Sequence, residues 1–464
     1  MLVCALAGCA HVQNSHLAAV PPILQEPPTQ WLGATVDPTP TELAQWWHRF
    51  DDPTLSSLVT RALQTNTSLE AARAALQQAR AQRDAQAAAL GPSIGASASV
   101  QRSQNGNGDA SNRYQLGFDA SWEPDLFGGE RAALDATEAN VRAAAASLGG
   151  VQVSLAAETA VAYTELRGLQ ARLAIAQRNL AAQQDTLQIT RWRVQAGLAS
   201  SLDLEQAVTA TEQTLAQVPA LQVSIGQSLN ALAVLTGQAP GALQTTLGSV
   251  APIPTAPADL ALAFPADTLR QRPDVRQAQA QWQAALARWS VAEAARYPSL
   301  RLSGSLGLSS LRLGSLADGA SVLRSLAASL SAPLFDGGAL RAQAQAQQAA
   351  VEQAQASLQG AVLTALKDVE NTLLALQGNR ERLIHLQAAA AAAANAEQLA
   401  RQRYKTGLID FRTVLDTQRN LLSTQDNVVS TQAALSADHV RLYKALGGGW
   451  QPEGTAAEIT RATR

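Results

Sequence analysis

The chain has 464 residues, 47% of them hydrophobic but only 4% aromatic, and a formal net charge of −2. Apolar content carried mainly by Ala and Leu suits close helix packing more than a bulky globular core, and the near-neutral balance gives no electrostatic footprint for nucleic acid. No run of about 18 consecutive apolar residues occurs, so no transmembrane α-helix is expected.

Both cysteines, Cys4 and Cys9, lie at the start. Beyond Cys9 neither a disulfide framework nor a thiolate metal site is open to the chain. The histidines (His11, His16, His48, His385, His439) are scattered without metal-ligand spacing, and no nucleophile-elbow, Walker or dinucleotide-binding fingerprint appears. An enzyme is not expected, nor is a cofactor or a metal.

Leu6-Ala7-Gly8-Cys9 closes a short apolar run and resembles a bacterial lipoprotein signal, although no basic segment precedes it. On that reading residues 1–8 are a signal remnant and Cys9 is the lipidation site; the alternative is an accidental cysteine. Residues 9–45 contain Pro21, Pro22, Pro27, Pro28, Pro38 and Pro40 and read as an extended, lipid-anchored tether. Trp46, Trp47, Phe50 and Leu55 follow, with Asp51-Asp52-Pro53 between them, and an Ala/Gln/Arg/Leu helical pattern runs on to Leu90 before Pro92.

The period then changes. Ile94, Ala96, Ala98 and Val100 alternate with polar or small residues, and so do Tyr114, Leu116, Phe118, Ala120 and Trp122 after a Gly/Asn-rich loop. Period 2 over about ten residues with one apolar face is the signature of a membrane-spanning β-strand, and the segment 93–123 reads as a hairpin. A soluble, half-buried hairpin has the same alternation. Asp119 and Glu123 on the opposite face suit a wet lumen. After Gly128-Gly129 a helical pattern covers 130–195, ~100 Å if continuous. Gly197 interrupts it, and a second helix is expected over 199–236. There Leu204, Thr211, Val218, Ile225 and Leu232 recur every seven residues, the mark of a coiled-coil seam.

Residues 238–268 are rich in Pro, Ala and Gly and read as a linker. The whole pattern then repeats. Arg272-Pro273-Asp274 stands 206 positions after Asn66-Thr67-Ser68, and Pro298-Ser299 follows Pro92-Ser93 by the same interval. A second hairpin is expected over 299–332, then helices over 339–405 and 410–446. Gly407 follows Gly197 by 210 positions, and Val414, Leu421, Val428, Leu435 and Leu442 form a second heptad seam. The chain is thus an internal duplication, with repeats at 46–237 and 269–449 and a flexible tail at 450–464. Its four strands cannot close a barrel alone, because the smallest filled membrane barrels need about eight. An open edge in lipid leaves backbone groups unpaired at several kcal/mol each, so oligomerisation is expected.

These residues carry a resemblance. The Leu6–Cys9 box, the Trp46-Trp47…Phe50…Asp52-Pro53 opening, Arg272-Pro273-Asp274, the two Arg-x-x-x-Gly-Leu turns (193–198 and 403–408) and the two Gly-Gly breaks together resemble the TolC-like outer membrane factors, specifically the lipoprotein branch of tripartite efflux systems. The resemblance implies a mainly α fold with β: four membrane strands and long antiparallel coiled-coil helices, closing as a homotrimer. The trimer would form a 12-stranded β-barrel in the outer membrane and an α-helical periplasmic barrel. It further implies a passive duct for small molecules such as drugs, opened by a periplasmic adaptor and an inner-membrane pump. The turns at Gly197-Leu198 and Gly407-Leu408 would form the tip that meets the adaptor. In such proteins acidic residues near the turn ring a narrow gate, and the match falls on Asp416, with Asp203 in the first repeat. Arg193, Arg403 and Tyr404 are candidates to pair with them. Thr413 stands where a second acid is often found. Alternatives are an exit duct for type I protein secretion and a structural coiled-coil protein; a stalk, though, has no need of a strand pair in each repeat.

Overall fold

The computed structural model describes residues 43–104, 106, 109–256 and 269–450. Cys9, nearly all of the 9–45 tether, the second part of the linker and the 451–464 tail therefore lie outside the described residues. The elements run α1 (Pro53–Thr65), α2 (Thr67–Ala89), β1 (Ser93–Ser103), β2 (Ser111–Trp122), α3 (Gly129–Gln195) and α4 (Ser201–Leu235) in the first repeat. The second repeat gives α5 (Pro273–Ala294), β3 (Ser299–Ser310), β4 (Val322–Ser331), α6 (Ala339–Lys405) and α7 (Phe411–Ala445). The chain divides into two compact units. One gathers Ala74–Ala146 and Asp274–Ala361; the other gathers the described parts of Pro27–Arg73, Ser147–Pro273 and Val362–Arg464.

The first unit is built around one antiparallel sheet of order β1-β2-β3-β4. The central pairing joins the repeats, with Tyr114 opposite Ser310 and Trp122 opposite Leu302. Two glycines meet there. A Cβ on Gly307 would lie 2.6 Å from the Leu116 carbonyl oxygen and 2.9 Å from the Gly117 Cα, so the strands approach this closely only without side chains. The registers put Ile94, Val100, Leu116, Phe118, Leu306, Leu326 and Leu330 on one face. That face is bare: Leu326 is 89% exposed. The other face is a hydroxyl ladder. Ser97 donates to Asp119 (2.9 Å), Ser305 and Ser325 share a hydrogen bond (2.7 Å), and Ser93 bonds Ser121 (3.0 Å). β1 and β4 are both edges, with one side of each ladder unpaired. At the end of the sheet next to the helices, Trp122 Nε1 donates to the Leu90 carbonyl (2.9 Å) and Phe127 stacks on Tyr297, ring centroids 5.0 Å apart.

The second unit has a core of Trp46, Trp47, Phe50, Leu55, Tyr163, Leu229, Leu232 and Tyr443. Trp46 lies in a 3-10 turn and stacks on Tyr443. Asp52 caps α1, accepting from the Thr54 and Leu55 backbone N–H groups, and its other oxygen takes the Tyr163 hydroxyl at 2.9 Å. The opening aromatic motif is thus a packed plug.

Three expectations change. The single helix anticipated up to Leu90 is two, broken at Asn66, which is extended (ψ 132°). Its side chain accepts from Ser68 N (2.8 Å) and donates to the Leu235 carbonyl (3.0 Å), so the cap is held by the end of α4 rather than by local sequence. The segment between the repeats is more than a connector. It forms a helical turn at Gln244–Leu247, buries Leu243, Leu247 and Ile253, and accepts hydrogen bonds from Arg167 at Ser249, Gln170 at Leu247 and Ser436 at Pro254. Finally, α4 is long and apolar enough to cross a membrane by length and composition, its mean hydropathy reaching 1.3 over an 18-residue window. Gln222, Ser224, Gln227, Ser228 and Asn230 interrupt the apolar runs there without lowering the average enough. Only 17% of that window is buried in the single chain, as a heptad seam without all its neighbours requires.

Candidate gating site at the paired helix turns

Both long helices end the same way. Gly197 (φ 70°) and Gly407 (φ 77°) take the left-handed conformation that glycine adopts without strain. Leu198 N bonds Arg193 O (2.7 Å) and Gly197 N bonds Val194 O (3.0 Å); Leu408 N bonds Arg403 O (2.9 Å) and Gly407 N bonds Tyr404 O (3.0 Å). These paired bonds satisfy the last carbonyls of each helix in a Schellman closure. They leave the leucine outside: Leu198 is 69% and Leu408 75% exposed.

The outgoing helices are capped by two versions of one device. In the first repeat Ser200 is the N-cap. Its hydroxyl oxygen accepts from Asp203 N (3.2 Å), while Asp203 Oδ2 accepts from the Ser200 backbone N–H (3.0 Å) and hydroxyl (2.8 Å). In the second repeat the acid and the hydroxyl change places. Asp410 is the N-cap, and its Oδ1 accepts from Thr413 N (2.9 Å) and the Thr413 hydroxyl (2.5 Å). The Thr413 hydroxyl, and then its backbone N–H, hold the Asp410 carboxyl below the usual carboxylate range. Each turn thus carries a capping carboxylate, Asp203 or Asp410, near the positive end of a helix dipole.

Asp416 stands apart from both caps. It is exposed, and its cationic neighbour is Arg412 one turn earlier, Nε to Oδ2 at 4.0 Å. Arg193 is not paired with an acid among the described residues. Its Nη1 donates to the Tyr404 carbonyl (2.5 Å), and its guanidinium lies 4.5 Å from the Tyr404 ring centroid, a cation–π contact. Tyr404 is buried, shares a hydrogen bond with Thr190 (3.2 Å) and meets Phe411 edge-on. Leu187, Ala207, Ala210, Ala400, Val414 and Leu415 complete this cluster. Arg193 and Tyr404 therefore tie the end of α3 to the end of α6, while Arg403 is exposed.

Two features escaped the sequence reading. Asp410 was legible only by its position 210 after Ser200, since serine and aspartate are interchangeable at an N-cap. Arg172 and Asp426, on α3 and α7, form a two-pronged ion pair (Nε–Oδ1 2.6 Å, Nη2–Oδ2 3.2 Å) beside Arg419, Gln213, Gln217 and Ser224 in a groove between the helices. A charged pair separated by 254 residues leaves no mark in a periodicity.

Comparison with known proteins places this architecture. The family model described as "Outer membrane efflux protein" matches residues 58–238 and 264–448, one match per repeat. The pyoverdine export outer membrane protein OpmQ of Pseudomonas aeruginosa is 31% identical over 429 residues, covering 89% of each chain. The outer membrane protein OprJ of the same species is 31% identical over 440 residues, 93% of this chain and 90% of that one. Among solved structures, the outer-membrane channel OprN superposes with a TM-score of 0.84 at 35% identity, over 91% of this chain and 99% of that one. The outer membrane protein VceC of Vibrio cholerae gives 0.81 at 26% identity, over 89% and 100%. With matches to both repeats and relatives covered nearly end to end, the chain belongs to the outer membrane efflux protein family.

Proposed function

We propose that the protein is the outer-membrane exit duct of a tripartite efflux system and works as a homotrimer. One observation carries this reading. The chain presents a four-stranded sheet with an apolar face, a hydroxyl-lined face and two unpaired edges. Backbone groups left open in lipid cost several kcal/mol each, so the sheet must close on copies of itself. Three copies give twelve strands, an even number with room for a lumen; two give eight, whose interior side chains fill. The apolar face then meets lipid and the serine face lines the passage. The long helices continue the passage into the periplasm as an α-helical barrel, and the exposed Leu198 and Leu408 offer the tip to a periplasmic adaptor, which couples the duct to an inner-membrane pump. The cargo class is small molecules. OpmQ is named for pyoverdine export and a Pseudomonas putida relative for toluene efflux, which supports that breadth.

At the tip, Asp416 and Asp203 supply six carboxylates per trimer. Asp416, free of any cap, is the stronger candidate to face the aperture; Asp203 is committed to Ser200. Arg193 and Tyr404 hold the two turns of one protomer together, and Arg403 is left for contacts outside it. At the other end, acylation of Cys9 would add a lipid anchor in the outer membrane beside the barrel.

The mass of the detergent-solubilised particle tests the closure: three chains are expected, and two would refute it. Single-channel conductance tests the gate. Asp416→Ala is expected to conduct more than wild type and to be blocked less by divalent cations. Wild-type conductance and block in both Asp416→Ala and Asp203→Ala would reduce the two acids to helix-end residues. An unmodified Cys9 in the mass spectrum of the mature N-terminus would remove the anchor.

A further inference from the structure

The apolar face of the sheet carries two arginines. Alternation places Arg102, in register with Asn112, and Arg324, in register with Leu306, on the same side as Val100, Phe118 and Leu326. Both are exposed, and neither has a hydrogen-bond or ion-pair partner among the described residues. The acid of the sheet, Asp119, lies on the opposite face, bonded to Ser97. A lone cation on a lipid-facing strand costs ~2–4 kcal/mol at the bilayer midplane and about 0–1 near its interfaces, and an anionic partner offsets what remains.

The duplication brings the two together. The hairpin registers pair Ser93 with Ser121 and Ser299 with Ser331, so β1 maps onto β3 at an offset of 206 and β2 onto β4 at 210. The β2–β3 register is the chain's own example of how one repeat joins the next: Ala120 opposite Gly304, Phe118 opposite Leu306, Leu116 opposite Leu308, Tyr114 opposite Ser310. Carried to the edge between copies, it sets Leu330 opposite Ala98 of the partner subunit and Ala328 opposite Val100 of the partner subunit. Leu326 then faces Arg102 of the partner subunit, and Arg324 faces Gln104 of the partner subunit. Arg324 and Arg102 of the partner subunit become diagonal neighbours on one face, about 7–8 Å apart at Cα. Arg102 is the second-last residue of β1 and Arg324 the third residue of β4, so both sit at the hairpin-loop end, away from the end that joins the helices. Within that reach long side chains extend toward the headgroup layer.

We infer that each seam of the closed barrel holds a binding site for a phosphorylated glycolipid of the outer leaflet, formed by Arg324 of one copy and Arg102 of the next. Two guanidinium forks on a face whose described strand residues include no acid suit a phosphate monoester, which can take both in bidentate fashion. The site rests on the trimeric reading, since a single chain separates the two arginines by the full width of its sheet. It gives the edges a use for charge beyond discouraging wrong pairing: a lipid clasped across each seam favours the closed ring.

Native mass spectrometry of the purified full-length protein tests this, with bisphosphorylated lipid A, its dephosphorylated form and inorganic phosphate as probes. A trimer that retains up to three bisphosphorylated lipids, at least tenfold tighter than the dephosphorylated form and undisplaced by millimolar phosphate, is expected. Arg102→Gln/Arg324→Gln should remove that preference and leave the trimer mass unchanged. Equal retention of the two lipids by wild-type trimer would overturn the inference, with no variant needed, and so would displacement by inorganic phosphate alone. A particle of another size would sink the trimeric reading itself. Cysteines at Ala328 and Val100 check the register independently: crosslinking to a ladder of three chains is expected, and failure to crosslink alongside efficient linking of Leu330→Cys to Val100→Cys would put the arginines on different rows.

Discussion

The two repeats share a backbone and differ in chemistry. Asn66 and Arg272 occupy the same position, a break between two helices, and each reaches a carbonyl at the end of its own repeat's outgoing helix: Leu235 for Asn66 at 3.0 Å, Ala445 for Arg272 at 2.8 Å. Those two carbonyls are 210 residues apart, as are Gly237 and Gly447, which end the helices with positive φ. The geometry is duplicated; the donor is a neutral amide in one repeat and a guanidinium in the other. The guanidinium does more. It sits at the negative end of the α7 dipole and bonds Asp368 at 3.3 Å, while the backbone and stem of Arg272 pack against Gly447, where a Cβ would come within 3.2 Å of the Arg272 Cα. The second repeat stakes more of its stability on charge.

Removing the two donors measures that difference. Arg272→Ala leaves the Ala445 carbonyl without its guanidinium donor and Asp368 with Lys367 at 3.9 Å as its remaining cation among the described residues, and is expected to destabilise by ~3 kcal/mol. Asn66→Ala loses a neutral cap and one carbonyl bond, ~1–2 kcal/mol. Thermal melting followed by helix circular dichroism should rank them in that order. Equal losses would mean that the charge adds nothing to the lock.

The same contrast recurs in the core. Leu229, buried in the first repeat, has His439 as its counterpart in the second. Burial, then the nearby Arg380, push the His439 imidazole down to about 4; Asp438 opposes this and Arg49 adds to it. A group whose folded pKa lies below its unfolded value resists protonation only while folded. Stability is therefore full above the unfolded value near 6.5 and falls as pH drops from there toward 4, by on the order of 3 kcal/mol. His439→Leu, which makes the repeats alike, should flatten that decline. An unchanged pH profile of melting would show that other groups set the acid sensitivity.

The turns break the symmetry a third time. Tyr404 corresponds to Val194, so the cation–π contact of Arg193 on Tyr404 has no twin made by Arg403 on Val194. The lock works within one protomer, and among the described residues the exposed Arg403 makes no equivalent contact. Arg193→Ala should cost ~2 kcal/mol and raise channel conductance, whereas Arg403→Ala should leave melting unchanged. Equal conductance in the two variants would argue that the lock has no part in gating.

What the sequence made legible follows its own distances. Strands declared themselves by alternation and turns by a glycine followed by leucine, because the physics lies within a few residues. The ends expected for the four long helices lie within two residues of Gly129–Gln195, Ser201–Leu235, Ala339–Lys405 and Phe411–Ala445, and the family followed from the order of the motifs. The break at Asn66 did not declare itself, since its partner is 169 residues away and no glycine or proline marks it. Nor did the docking of Leu243, Leu247 and Ile253, lost among prolines that read as linker. At the turns the acids were legible, but their partners were not: Arg193 is held by a backbone carbonyl and an aromatic face 211 residues on.

The smallest expected effect is the most searching test of equivalence between repeats. Ser200 with Asp203, and Asp410 with Thr413, are one capping device with the hydroxyl and the carboxylate exchanged. Each satisfies the N3 backbone donor, and each keeps one negative charge at the helix start. Ser200→Ala or Asp410→Ala alone should cost ~1 kcal/mol, the loss of a cap. The double variant Ser200→Asp/Asp203→Thr rewrites the first turn as the second, retains both the donor's partner and the charge, and should melt within about 0.5 kcal/mol of wild type. It moves the carboxylate three residues toward the turn. If Asp203 contributes to the gate from its own position, conductance should rise in the double variant while stability holds. If conductance and stability are both unchanged, Asp203 serves as a cap and Asp416 carries the gate alone.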